Sequence, residues 1–423
     1  MNSKKGLDSV KMSLEEAVKM HAQPFNSIED LTPLLEAAGD AKFVLLGEAT
    51  HGTSEFYTWR AALTKKLILE KGFSLIAVEG DWPAAQQVHR YIKSFSKEEQ
   101  QPREVLQAFK RWPTWMWANE EIADFIYWLK MHNDTDRQSV GFYGIDVYSL
   151  WESMEEIVHR LTDIDPSGEA INLAKQVLAC FESFNRIPEN YAAAAVDFSK
   201  SCEKAASQLL ASIRSNEKLY RDSYESDLDL KTNALVVKNA ENYYRALVQS
   251  NEISWNIRDE HMVEVINEVR DYHGREAKII VWEHNTHIGA ASATDMKNEG
   301  MTNVGQILRE QNRVEDVYAI GFGTHSGTVI AAPSWEEPHE KMMVPPATPN
   351  TWEDLLHRTG AFNKFLLFDS QNFTLFDRWV GHRAIGVVYD PELEAYGNYV
   401  PSKISQRYDA FIFIDRSHAL SPL

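Results

Sequence analysis

Glu48 and His51 close an apolar run in the stretch Gly47-Glu48-Ala49-Thr50-His51-Gly52. A carboxylate three residues from an imidazole can orient the ring as a base that takes a proton from water. Glu79 and Asp81 end a second apolar run, Asp146 a third, and Glu283, His284 and His287 follow a fourth in Trp282-Glu283-His284-Asn285-Thr286-His287. Taken singly, each acid is equally a helix cap or a surface charge, and a lone histidine is more often a satisfied core group. Gathered at one edge they form a cluster of titratable groups, the mark of a reaction site.

Two arginines join the set. Arg60 lies four residues after Phe56 and three before Leu63, on the apolar face of a helical stretch. Arg258 interrupts a second stripe formed by Leu247, Trp255, Met262, Val265 and Val269. A buried guanidinium requires a carboxylate, so both call for partners such as Glu48 or Glu79. The alternative is a packed stem whose head reaches solvent at the helix edge.

No Gly-x-Ser-x-Gly elbow occurs, and Gly323-Thr324-His325-Ser326-Gly327 has its serine one place late, which disfavours a serine acyl-enzyme. General-base hydrolysis suits the set better, with His51 activating water and an arginine or second histidine stabilising the oxyanion of an attacked ester. The place of His51 before a helix N-terminus predicts a neutral imidazole. The same groups permit a divalent-metal hydrolase, with His51, His284, His287 and Glu79 as ligands, although the spacing is not that of the His-Glu-x-x-His proteases. A third reading is a non-catalytic crevice for a small ligand or haem.

The elements that position these residues read as α/β. Short runs rich in Val, Ile and Phe recur at 43–47, 75–79, 140–145, 278–282, 317–322, 365–368, 384–389 and 410–414, which predicts a buried, mostly parallel central sheet flanked by helices. Residues 56–71 form the connecting helix, stopped by Gly72, in a unit that sets Glu48 and Glu79 on neighbouring strands. From 151 to 273 the strand signal gives way to amphipathic helices broken at Asp165-Pro166-Ser167-Gly168. The organisation is therefore a catalytic core at 25–150 and 274–423, a helical insertion at 151–273 and an N-terminal extension at 1–24. Residues 331–350 hold five prolines and read as a long loop, either a flap over the site or a surface connection.

A formal charge of −19 argues against nucleic acid and acidic lipid as partners, because both require clustered Lys and Arg. Cys180 and Cys202 are the only cysteines, so no disulfide framework is expected and a reducing compartment suffices. Residues 1–25 show no apolar core of signal-peptide length, and no membrane-spanning run is present. The expectation is a cytoplasmic protein acting on a small molecule.

At these residues the chain resembles the erythromycin esterase family. The likeness is carried by Gly47-Glu48-Ala49-Thr50-His51-Gly52, Glu79-Gly80-Asp81-Trp82, Arg258-Asp259-Glu260-His261-Met262, Glu283-His284-Asn285-Thr286-His287, Gly321-Phe322-Gly323-Thr324 and Tyr408-Asp409-Ala410, within residues 25–415. The resemblance implies hydrolysis of an ester or macrolactone with no covalent intermediate, no metal and no other cofactor. It also implies His51 as the base, Glu48 and Glu79 as active-site carboxylates, Arg60 and Arg258 as the arginines, and His284 as the second histidine, with His287 in the same motif. Other sequences of this family resemble succinoglycan biosynthesis proteins, so antibiotic resistance does not follow from the motifs.

Overall fold

Strand formation follows the apolar runs. The computed structural model describes residues 12–95, 100–135, 139–195 and 201–423. Among them the strands are β1 (Gln23–Pro24), β2 (Phe43–Leu46), β3 (Leu75–Asp81), β4 (Gly141–Asp146), β5 (Ile279–Trp282), β6 (Val317–Ala331), β7 (Glu340–Val344), β8 (Lys364–Leu367), β9 (Trp379–Arg383), β10 (Tyr399–Lys403) and β11 (Ala410–Ser417). Nine of these form the central sheet in the order β1-β8-β11-β6-β2-β5-β3-β4, with β7 added to β6. The six strands from β11 to β4 run parallel, while β8 and β7 pair antiparallel at one side. Val44-Leu45-Leu46 and Ile280-Val281-Trp282 are buried on both faces, as continuous apolar strands in a covered parallel sheet must be.

One face of the sheet, carrying Phe43, Leu45, Ala77 and Val281, packs on Val265, Ile266 and Val269 of the helix Asn251–His273. Val44, Leu46, Val78 and Trp282 on the other face pack on Phe56, Leu63 and Leu67 of the helix Ser54–Lys71. Each such buried aliphatic contributes about 1.5–3 kcal/mol. The helix Ser54–Lys71 stops at Gly72, whose φ of 73° is the left-handed conformation that glycine adopts without strain. Between β4 and β5 the described residues form only helices, and the last of them, Asn251–His273, covers the sheet directly.

Several expectations are corrected. Strands β2 and β3 are not neighbours: β5 lies between them, in register with both through Trp282, which faces Leu46 and Val78. The intervening strand comes from far along the chain, after the helices, so the local unit could not reveal it. Residues 384–389 are not a strand, because β9 ends at Arg383 and Ile385 and Val388 make isolated bridges to Thr50 and Ala332. The proline-rich stretch 331–350 is not all loop, since Glu340–Val344 folds back on β6 as β7. Leu247 ends the helix Ser226–Leu247 and is exposed, so it shares no stripe with Trp255 of the next helix.

Cys180 and Cys202 are joined in a disulfide, against expectation. The helices Glu169–Glu182 and Glu203–Ser215 pack together and bring the two Cα atoms to 6.2 Å, a tertiary approach that spacing alone does not show. Of the N-terminal extension, residues 1–11 lie outside the described residues, as do residues 196–200 of the insertion. The helix Leu14–His21 opens with a Ser13–Glu16 capping box, and Gln23–Pro24 edges the sheet. No helix among the described residues is long and apolar enough to cross a membrane.

Candidate active site

The carboxyl ends of β2, β5 and β3 carry the candidate residues to one edge of the sheet, the edge at which open parallel sheets place their ligands. Two glycines make the approach possible. A Cβ on Gly47 would lie 2.1 Å from Asn285 Oδ1, and one on Gly52 would lie 1.9 Å from the Ile330 carbonyl oxygen.

On one face of the sheet Glu48 bridges a histidine and an arginine. Its Oε1 lies 2.8 Å from His51 Nδ1, and its Oε2 accepts from Arg60 Nη2 at 2.5 Å. The Arg60 guanidinium is buried beneath Tyr57 and Trp282, at 4.5 and 4.7 Å from their ring centroids. On the other face Arg258 donates from Nε and Nη2 to Asp146 at 2.9 and 2.7 Å, from Nη2 to Glu79 at 2.8 Å, and from Nη1 to His287 Nε2 at 3.0 Å. These bonds use four of the five N–H groups of a guanidinium and leave one on Nη1. Asp259, fully buried, holds His287 Nδ1 at 2.9 Å, and Trp255 stacks on the His287 ring. Because a guanidinium only donates, Nε2 is the accepting nitrogen whenever the His287 ring is neutral.

Strand β5 delivers His284 between the two arginine systems. Its backbone N–H donates to Glu79 Oε2 at 2.8 Å, and its ring lies 4.9 Å from that of His51. His284 also caps the short helix Asn285–Ile288, with Nδ1 accepting from the Thr286 amide at 3.3 Å and facing the Thr286 hydroxyl at 2.8 Å. The hydrogen of a neutral ring therefore sits on Nε2, a buried nitrogen with no well-formed hydrogen bond.

Electrostatics set the two histidines apart. Burial alone would lower the His51 pKa, but the bond to Glu48 and the charges of Glu79 and Glu48 outweigh it, and the net shift is upward. This corrects the expectation from the helix N-terminus, because nearby carboxylates exceed the partial charge of a helix end. Burial, followed by the charge on His51, holds His284 well below the ordinary histidine value, against weaker upward pulls from Glu79 and the Ala49 backbone. Burial would raise Glu79, but His287, Arg258, His51 and the His284 amide hold it well below the carboxylate range. Glu283 is pushed far up by burial and by the charges of Glu79 and Asp259, and neither of its oxygens has a partner. Asp81 lies aside, paired with Arg111 at 2.8 Å and raised by burial to about 6.

The sheet edge thus brings together Glu48, His51, Arg60, Glu79, Arg258, His284 and His287. For the metal alternative, both nitrogens of His287 are engaged, and no group of three or more His, Cys, Asp or Glu among the described residues is arranged to hold an ion. Two contributors were underrated from sequence. In sequence Asp146 is legible only as a strand end, whereas in the fold it is a principal partner of Arg258. Asp259 was visible only as the residue after Arg258 in a motif.

The chain belongs to the erythromycin esterase family, whose model matches residues 68–417 and so begins after Glu48, His51 and Arg60. Membership indicates a hydrolase of esterase type. Among its relatives, the putative hydrolase YbfO of Bacillus subtilis is 22% identical, covering 94% of this chain and 90% of its own. Erythromycin esterase type II of Escherichia coli is 25% identical over 76% of this chain and 79% of its own. A crystal structure of a succinoglycan biosynthesis protein shares the fold with a TM-score of 0.75 and 21% identity, over 98% of this chain and 100% of that one.

Proposed function

We propose that the protein hydrolyses a carboxylic ester or macrolactone by direct attack of water, with His51 as base and no covalent intermediate. The observation that carries this reading is the pairing of two histidines shifted in opposite directions with rings 4.9 Å apart. Neighbouring groups whose environments separate their pKa values divide the roles of base and donor. His51, with Nδ1 on Glu48, presents Nε2 as the proton acceptor. His284 stays neutral and presents Nε2–H as a hydrogen-bond donor.

In the reaction, water loses a proton to His51 Nε2 as its oxygen bonds to the ester carbonyl carbon. The oxyanion is held by His284 Nε2–H and by the remaining Nη1 hydrogen of Arg258. On collapse the carbon–oxygen ester bond breaks, and the leaving alkoxide takes the proton from His51. An acid and an alcohol result.

The test is a panel of macrolides and short acyl esters on wild type and His51→Ala. The variant is expected to keep the wild-type thermal midpoint and to lose at least about a thousandfold in kcat, in line with removal of a general base. Undiminished hydrolysis by His51→Ala would refute the role.

A further inference from the structure

Next to this cluster lies a second carboxylate–imidazole pair, Glu353 and His382, with no exposed surface. Glu353 stands in the helix Trp352–Arg358 and His382 on β9. Glu353 Oε1 accepts from His382 Nδ1 at 2.5 Å and from the Arg383 amide at 3.0 Å. Burying an ionised carboxylate is unfavourable unless it is hydrogen-bonded, a penalty that apolar side chains of the same volume would not incur.

The far side of the imidazole meets the catalytic motif. His382 Nε2 lies 3.2 Å from Asn285 Nδ2. The Asn285 amide is fixed on β6, where Nδ2 donates to the Phe322 carbonyl at 2.6 Å and Oδ1 accepts from the Phe322 amide at 3.2 Å. His382 Nε2 can therefore only accept, and Nδ1 carries the hydrogen to an ionised Glu353. Burial lowers the His382 pKa, and Glu353, which burial would raise, is kept low by His382 and Arg383, in agreement with that assignment.

Both histidine-bearing turns hang from this anchor. The Asn285 backbone N–H donates to the Glu48 carbonyl at 2.8 Å, and Asn285 directly follows His284. Just beyond His382, the Ile385 N–H donates to the Ala49 carbonyl at 2.8 Å, and Ile385 bridges Thr50. Arg383 ties the same stretch to the Thr324 and His325 carbonyls of β6 at 2.6 and 2.8 Å.

We infer that Glu353 and His382 are positioning residues, fixing the Glu48–His51 turn against the His284 turn through Asn285 and the backbone of residues 382–385. The kinetic consequence rests on the proposed function; the structural one does not.

The experiment compares His382→Gln, His382→Leu and Glu353→Gln with wild type. Steady-state kinetics on a short acyl ester are expected to show kcat falling ten- to a hundredfold in His382→Leu and Glu353→Gln, because small misplacements cost about that much. KM should stay within about threefold, and His382→Gln, which keeps an acceptor for Asn285, should lose least. Histidine NMR titration of the same proteins is expected to show His51 moving toward its ordinary value as its contact with Glu48 loosens. If His382→Leu does not fold, Glu353→Gln and His382→Gln carry the comparison. Folded variants with wild-type kcat and unmoved His51 titration overturn the inference. If wild type turns over no ester, the proposed function falls and the His51 titration alone decides the positioning role.

Discussion

Replacing Glu48 by Gln preserves shape and removes one charge between two partners that compete for it. Arg60 can only donate, so the amide oxygen must take the place of Oε2, now 2.5 Å from Nη2. The amide NH2 then faces His51 Nδ1 across the 2.8 Å contact and forces that nitrogen to accept. The ring hydrogen moves to Nε2, where no proton can be taken from water. A base held in the wrong tautomer loses on the order of 10⁴ in kcat, or about 5.5 kcal/mol of barrier at 1.36 kcal/mol per decade. Stability falls as well, because Arg60, 1% exposed, loses its only carboxylate partner among the described residues. Breaking a buried pair costs about 3–5 kcal/mol, with Tyr57 and Trp282 offsetting part of it. The double variant Glu48→Gln/Arg60→Met removes both charges and should regain the thermal midpoint without regaining activity. The assay is kcat/KM against pH, with thermal midpoints alongside. Wild-type activity should rise with pH as His51 loses its proton, on a limb above the ordinary value of 6.5, because the pKa is raised. In the variant that limb should move down. A loss under tenfold with the limb unmoved would refute the argument.

Two further outcomes follow. The folded-state pKa of Glu283 is raised, so the native protein holds a proton that the unfolded chain releases. That contribution is full below the ordinary value of 4.5 and is lost as pH rises toward the folded pKa, at up to about 1.4 kcal/mol per pH unit. Glu283→Gln should match wild type near pH 4.5 and exceed its thermal midpoint increasingly toward pH 8, whereas parallel curves would refute the assignment of a protonated carboxyl. The disulfide closes a loop with a sequence separation of 22, for which chain entropy gives about 3 kcal/mol. Cys180→Ser should therefore unfold at lower denaturant than oxidised wild type and coincide with wild type in reductant; a reductant-insensitive wild type would contradict this.

What could be read in advance depended on how local the cause was. Glu48 and His51 were visible because they directly follow a strand, and the burial of Arg60 was visible because helical spacing fixes the face it shares with Phe56 and Leu63. The role of Asp146 needed the pairing of β3 with β4, and the separation of Glu48 from Glu79 needed β5 between their strands. Cys180 and Cys202 met through helix packing. Glu353 and His382 left no signal, because each is a single polar residue in a short element whose partners lie on other strands. The direction of the His51 shift turns on magnitude rather than on a hidden partner: Glu48 and Glu79 are both legible in sequence, but that the Glu48 bond and the two charges outweigh both burial and the helix end shows only in the packed site.

The division between the two histidines needs no difference in chemistry, only in what each ring must do for its own segment. Strand alternation turns Glu48 toward the helix of Arg60 and Glu79 toward the helix of Arg258, so two ion-pair systems flank the site on opposite faces of the sheet. His51 follows β2 and finds its nearest partner in Glu48, a carboxylate that must accept; its Nδ1 therefore donates and its Nε2 is left basic. His284 follows the strand between the two systems and begins a helix, and a side chain that caps a helix must accept from the amides it faces. Its Nδ1 is thereby denied a hydrogen, which Nε2 carries instead. In the proposed mechanism the base and the donor are thus assigned by a carboxylate on one side and a four-residue helix on the other.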